Sequence, residues 1–110
     1  MDHNPPSIYA NAQGLWEQNA PGEKRLWDAW AEITAVSGAC YEAGDRVLTC
    51  VTFGLSWGEF CEVFTDWPCF DALARSLPEY LAGLPADWLT RITELTPGLD
   101  TEVWHQKSQD

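Results

Sequence analysis

The stretch from Ser56 to Trp67 constrains the chain most, because it combines a helix-start signal with an apolar stripe. Ser56 and Glu59 have the spacing of a capping box, in which each side chain binds the backbone N–H of the other residue. Apolar residues then recur at helical spacing, namely Trp57, Phe60, Cys61 and Phe64. Glu59, Glu62 and Asp66 fall on the other side. The pattern predicts a helix with one buried face and one acidic face.

Comparable patterns along the chain predict a mainly α domain of about six or seven short helices separated by Pro and Gly. Besides the helix from Trp57, the predicted helices cover residues 7–19, 23–36, 66–77, 77–82, 86–95 and a last segment from Asp100. Ser76 with Glu79 is a second possible capping box, at which the chain would change direction. Apolar positions expected in the core include Phe70, Leu73, Ala74, Leu77, Trp88, Ile92 and Val103.

The segment Val47–Phe53 leaves an alternative open, because its β-branched and aromatic residues favour a strand. Its partner would be residues 29–36, paired across a long loop at 37–45. Against this, alanines form strands poorly, and the register would place Trp30 on the same face as Glu32. An α+β fold with a hairpin involving residues 46–53 is therefore the second choice.

The length of 110 residues predicts a single domain. We expect a globular domain over residues 7–106, a flexible arm at 1–6, where Pro5 and Pro6 favour extended backbone, and a frayed tail at 107–110. The first residues lack the positive and apolar regions of a signal peptide, so we expect a cytoplasmic protein. In a reducing compartment the four cysteines are expected to be buried thiols.

The formal net charge is −11. Such a charge argues against direct binding to nucleic acid or to an anionic membrane, because those ligands need clustered Lys and Arg. The magnitude of this net charge also exceeds the value of about 2 to 8 that is enough to keep a small domain in solution. Binding to a basic protein partner is the simplest explanation for the excess charge. The predicted partner-binding residues are Glu59, Glu62, Asp66, Asp71, Trp67, Asp28 and Glu32.

Catalytic and metal sites have weaker support. The Cys and His residues do not show the spacing of common zinc sites, which leaves only a site assembled in space from Cys61, Cys69 and His105. Cys69 would lie in the first turn of a helix, where a thiol becomes more nucleophilic. The two histidines that could activate it, His3 and His105, lie near the termini. We therefore expect no enzyme activity, no metal and no cofactor, with Cys69 as the weak catalytic candidate.

These observations favour a non-enzymatic inhibitor that binds the basic, nucleic-acid-binding surface of a protein partner and so mimics nucleic acid. A blocker encoded by a phage or mobile element, similar in function to an anti-CRISPR protein, would fit this description. The alternatives are an immunity protein that neutralises a toxin, a small-ligand-binding domain lined by the surplus aromatic residues, and a Cys-dependent enzyme. No motif places the chain in a family, and the oligomeric state stays open.

Overall fold

A computed structural model describes residues 7–20 and 23–106, which form two antiparallel sheets and two α-helices. The prediction of a mainly α fold is therefore wrong. The predicted flexible arm at 1–6 and frayed tail at 107–110 lie outside the described residues. In chain order the elements are β1 (Ser7–Asn11), β2 (Gly14–Ala20), β3 (Glu23–Ala29), a 3-10 turn (Trp30–Glu32), β4 (Ile33–Ala43), β5 (Arg46–Leu55), β6 (Phe60–Phe64), α1 (Phe70–Tyr80), α2 (Trp88–Thr93) and β7 (Asp100–His105).

Sheet A consists of β1, β2 and β3 in that order. The Asn11 side chain closes the turn between β1 and β2, because its Oδ1 accepts the backbone N–H of Gln13 at 2.9 Å. Ile8 and Leu15 point into the core, while Tyr9 and Trp16 pair across the strands and stack at 6.5 Å. The helix predicted over residues 7–19 is thus replaced by a hairpin with period two.

Sheet B has the strand order β6-β5-β4-β7. Its central hairpin pairs Ala43 with Arg46 across a two-residue loop, in which Gly44 has a φ of 66°. A hairpin involving residues 46–53 was the second choice from the sequence, but the chain turns at residues 44–45 and not over a long loop. The helix predicted at 23–36 is replaced by β3, the 3-10 turn and the start of β4, and the helix predicted from Asp100 is replaced by β7.

Helix α2 packs on one side of sheet B, helix α1 packs against β1 of sheet A, and both contribute residues to one core. Gly38 on β4 lies against Ile92 of α2, and Val36, Val51 and Val63 are buried on the same side. Ile8 and Leu15 of sheet A join this cluster. We call the opposite side of sheet B the outer face.

Both α-helices overlap helices predicted from the sequence, although α1 begins at Phe70 and not near Asp66. α1 buries Phe70, Leu73, Ala74 and Leu77, and α2 buries Trp88 and Ile92, as their spacing predicts. However, α1 continues through Pro78, and the Ser76 hydroxyl donates to the Leu73 carbonyl at 2.7 Å, so the second capping box does not form. No helix in the described part of the chain combines the length and apolar character needed to cross a bilayer.

Candidate interaction surface

Residues 56–59 connect β5 to β6, and together with Phe60, the first residue of β6, we call them the hairpin tip. The Leu55 N–H donates to the Glu59 carbonyl at 2.8 Å, and the Gly58 N–H donates to the Leu55 carbonyl at 3.0 Å. Gly58 has a φ of 93°, as the last residue of a three-residue hairpin loop requires. The helix predicted from Trp57 is therefore wrong: its first residues form a turn, and Phe60–Phe64 is a strand.

Ser56 connects the hairpin tip to the 3-10 turn by two hydrogen bonds to Glu32. Its backbone N–H donates to the Glu32 carbonyl at 2.9 Å, and its hydroxyl donates to the Glu32 carboxylate. The Ser56 hydroxyl thus binds a carboxylate 24 positions away. These bonds place the Glu32 carboxylate beside the tip.

Two aromatic rings of the hairpin tip face the solvent. Trp57 is 58% exposed and Phe60 is 61% exposed, although the helical pattern predicted both in the core. Large aromatic side chains are costly to leave in water and are enriched at the centres of protein interfaces. One signal in the sequence could have revealed this loop. Gly58 lies three residues after the end of β5, which is rich in β-branched and aromatic residues, and glycine is typical of the last position in a three-residue hairpin loop.

The outer face continues this surface along β6. Phe60, Glu62 and Phe64 alternate with the buried Val63, so their side chains lie on the outer face. Phe64 packs edge-on against Tyr41 with ring centroids 6.3 Å apart. It also contacts Trp67 at 5.5 Å. The β6 strand thus carries a carboxylate between two aromatic rings.

Glu62 also accepts a hydrogen bond from the Cys50 thiol at 3.4 Å. Burial raises the pKa of Cys50, and the bond to Glu62 raises it further. The pKa of Tyr41 is raised by partial desolvation and by the nearby Cys50 and Glu62. Cys50 and Tyr41 therefore stay neutral near pH 7.

The structure separates the predicted partner-binding residues. Glu32, Glu59 and Glu62 lie at or beside the hairpin tip. Asp66 and Trp67 follow β6 at its other end, where Arg46 donates to the exposed Asp66 carboxylate at 2.8 Å. Asp71 lies on α1, at a groove of about 470 Å³ that Arg75 and Trp88 also line.

Asp28 does not belong to the surface. It is 4% exposed on β3, opposite the core residue Leu15, and its Oδ2 has no hydrogen-bond partner among the described residues. Burial raises the pKa of Asp28, and the negative charge of Glu32 adds to this. Because its carboxylate does not reach solvent, we leave Asp28 out of the contact surface.

Cys69, the weak catalytic candidate, lies at the start of α1 in a groove of about 340 Å³ between β1 and α1. Its sulfur accepts the Ile8 N–H at 3.3 Å. Ser7, Tyr9, Ala72 and Ser76 are among the residues that line the groove, and the described lining includes no His, Asp or Glu that could act as a base. His105 pairs with Glu102 on β7 at 3.3 Å.

Within residues 7–20 and 23–106, no three His, Cys, Asp or Glu side chains are placed to hold a metal ion. Comparison with protein-family models, curated proteins and solved structures finds no match for this chain. The geometry and charge of the hairpin tip and of β6 are therefore the basis for a functional proposal.

Proposed function

We propose that this protein is a non-enzymatic inhibitor that binds a basic, nucleic-acid-binding surface of a protein partner through the hairpin tip and β6. The observation that carries the proposal is the exposure of Trp57 and Phe60 on a hairpin tip that carries Glu59, binds Glu32 through Ser56 and leads into Glu62 on β6. This surface takes the place of the acidic helix face that the sequence pattern predicted.

The aromatic rings supply affinity. A side chain of this size contributes about 1.5 to 3 kcal/mol when it is fully removed from water. Because Trp57 and Phe60 are exposed in the isolated protein, that free energy is still available for association. Rings can also lie against the aliphatic stems or the guanidinium groups of a basic surface through cation–π contact.

The carboxylates orient the approaching partner and increase its association rate. Residues 26–45 and 47–74 contain no Lys or Arg, so these segments do not neutralise the charge of the tip. Arg46, which separates the two segments, lies at the far end of β5 and pairs with Asp66. An uncompensated negative field steers a basic partner toward this surface, and salt screens that attraction.

Paired charge reversals test this proposal. The double variant Glu59→Lys/Glu62→Lys changes the net charge by the same amount as the control Glu79→Lys/Glu94→Lys, whose positions are exposed on and after the helices. We expect the free energy of unfolding of both variants to stay within about 0.5 kcal/mol per site of the wild type. The tip variant should lower the association rate of the partner by about tenfold or more, whereas the control should change it much less.

The partner is first captured on the immobilised protein from an extract of the organism that encodes it, eluted with salt and identified by mass spectrometry. Association and dissociation rates are then measured with the purified partner, together with its nucleic-acid-binding activity. A partner that binds both double variants with the same rates as the wild type, or one that keeps its full activity when bound, would contradict the proposal.

A further inference from the structure

Among the strands formed by residues 7–20 and 23–106, β6 pairs only with β5 and therefore lies at an edge of sheet B. We infer that this edge binds an extended Lys- or Arg-rich segment of the partner, which adds to sheet B as a further strand. The inference rests on the proposed function and specifies how the basic partner is held. Strand addition of this type takes its affinity from main-chain hydrogen bonds and its specificity from alternate side chains.

The phase of the β5–β6 ladder identifies the main-chain groups that point outward. At one end the Leu55 N–H donates to the Glu59 carbonyl, and at the other the Thr65 N–H donates to the Thr49 carbonyl at 3.0 Å. Hydrogen-bonded positions alternate in an antiparallel pair, so Cys61 and Val63 direct their backbone groups to β5. Phe60, Glu62 and Phe64 therefore direct theirs away from the sheet.

Most of these outward groups have no backbone partner in the described part of the chain. The Phe64 carbonyl accepts the Trp67 N–H at 3.1 Å. The N–H groups of Phe60, Glu62 and Phe64 remain, as do the carbonyls of Phe60 and Glu62. By contrast, the edge of β1 is covered, because α1 packs on it and Cys69 accepts the Ile8 N–H.

Side chains on this edge decide between possible occupants. Phe60, Glu62 and Phe64 lie on the outer face, so an added strand places alternate residues beside the Glu62 carboxylate. A second copy paired antiparallel about Glu62 would bring two carboxylates directly opposite each other, which is unfavourable. A Lys or Arg at that position instead meets an opposite charge, and its aliphatic stem can lie against the exposed Phe60, which shares the outer face with Glu62. The edge thus disfavours self-pairing and favours a basic strand.

Three synthetic peptides test the pairing. The parent is a nine-residue peptide of alternating Lys and Thr, and the other two carry N-methyl groups on either the Lys or the Thr residues. When the Lys side chains lie on the outer face, the Lys N–H groups point toward β6. We expect methylation of Lys to weaken binding to the full-length protein by about tenfold or more, and methylation of Thr to leave it nearly unchanged. Charge and length are the same in all three.

Amide hydrogen exchange on the same protein locates the contact. The parent peptide should slow exchange at Phe60 and Glu62 by about tenfold or more, since those amides are solvent-facing in the free protein, while Cys61 and Val63 already donate to β5. Glu62→Gln and Glu62→Pro provide the matched variants, because both remove the charge but only Pro removes the N–H, at an edge position that tolerates it. The Pro variant should bind the parent peptide more weakly than the Gln variant.

Equal binding of the three peptides, or binding without protection of Phe60 and Glu62, would overturn strand addition. If the Glu59→Lys/Glu62→Lys variant still loses the natural partner in that case, the proposed function stands and only the mode of binding is wrong. If that variant keeps the partner with unchanged rates, the proposed function itself is wrong.

Discussion

Gly38 lies in the middle of β4, and the helix α2 leaves no room for a side chain there. A Cβ built on Gly38 would come within 2.5 Å of both Cγ1 and Cγ2 of Ile92, which is 0% exposed. The φ of Gly38 is not positive, so the restriction comes from packing and not from the backbone. Gly38→Ala therefore forces α2 away from the sheet or distorts the Ile92 side chain.

The expected costs follow from the two kinds of packing defect. Gly38→Ala overpacks the core and should cost about 1 to 3 kcal/mol. Ile92→Ala leaves a cavity and should cost about 2 to 5 kcal/mol. In the double variant the methyl group at position 38 enters the space that Ile92 vacates. The double variant should therefore be more stable than the sum of the single costs predicts, by about 0.5 to 3 kcal/mol.

Urea unfolding followed by tryptophan fluorescence measures all three variants. Gly54→Ala is the control, because the nearest atom to a Cβ there is Thr34 Oγ1 at 3.6 Å, which is ordinary contact. That control should stay within about 0.5 kcal/mol of the wild type. A Gly38→Ala protein as stable as the wild type, or strictly additive costs in the double variant, would refute the packing of α2 on β4.

Two further predictions concern Asp28 and Phe60. Because the pKa of Asp28 is raised, the native state binds the proton more tightly than the unfolded state, and stability falls as pH rises from the ordinary value of 3.8 through the raised pKa. The increase in melting temperature caused by Asp28→Asn should therefore be larger at pH 7 than near pH 4. An increase that is the same at both pH values would contradict the buried placement of Asp28. Phe60→Ala should change the free energy of unfolding by no more than about 0.5 kcal/mol. Phe53→Ala, at a position that is 0% exposed, should cost about 3 to 5 kcal/mol. If urea unfolding showed comparable losses for both variants, Phe60 would belong to the core.

Helix α1 shows what local information could establish. Its buried residues recur at the helical period, namely Phe70, Leu73, Ala74 and Leu77. Every backbone hydrogen bond inside a helix joins residues that are close in sequence. The same holds for Trp88 and Ile92 on α2. For these segments the sequence pattern and the tertiary environment agree.

Apart from β5, whose β-branched and aromatic residues favoured a strand, the strands could not be recognised in this way. Val36 pairs with Phe53 on one side and with Trp104 on the other, so the position of β4 depends on residues far along the chain. The irregular registers of β2 and β7 also break the strict alternation that identifies a strand from sequence. Short apolar runs then fit the helical period by coincidence, as they do at residues 57–64.

For the candidate surface, the sequence by itself determined the composition: carboxylates without Lys or Arg over residues 47–74, interleaved with aromatic residues. Only the tertiary structure decided which of these side chains face the solvent. The Ser56 hydroxyl donates to the carboxylate of Glu32, which lies 24 positions earlier in the chain. Asp28 is buried, whereas Phe60 is exposed on the same face of β6 as Glu62. Charge is a property of each residue and can be counted, whereas the direction of a side chain on a strand depends on the register in which the strand pairs and on which face of the sheet the core covers.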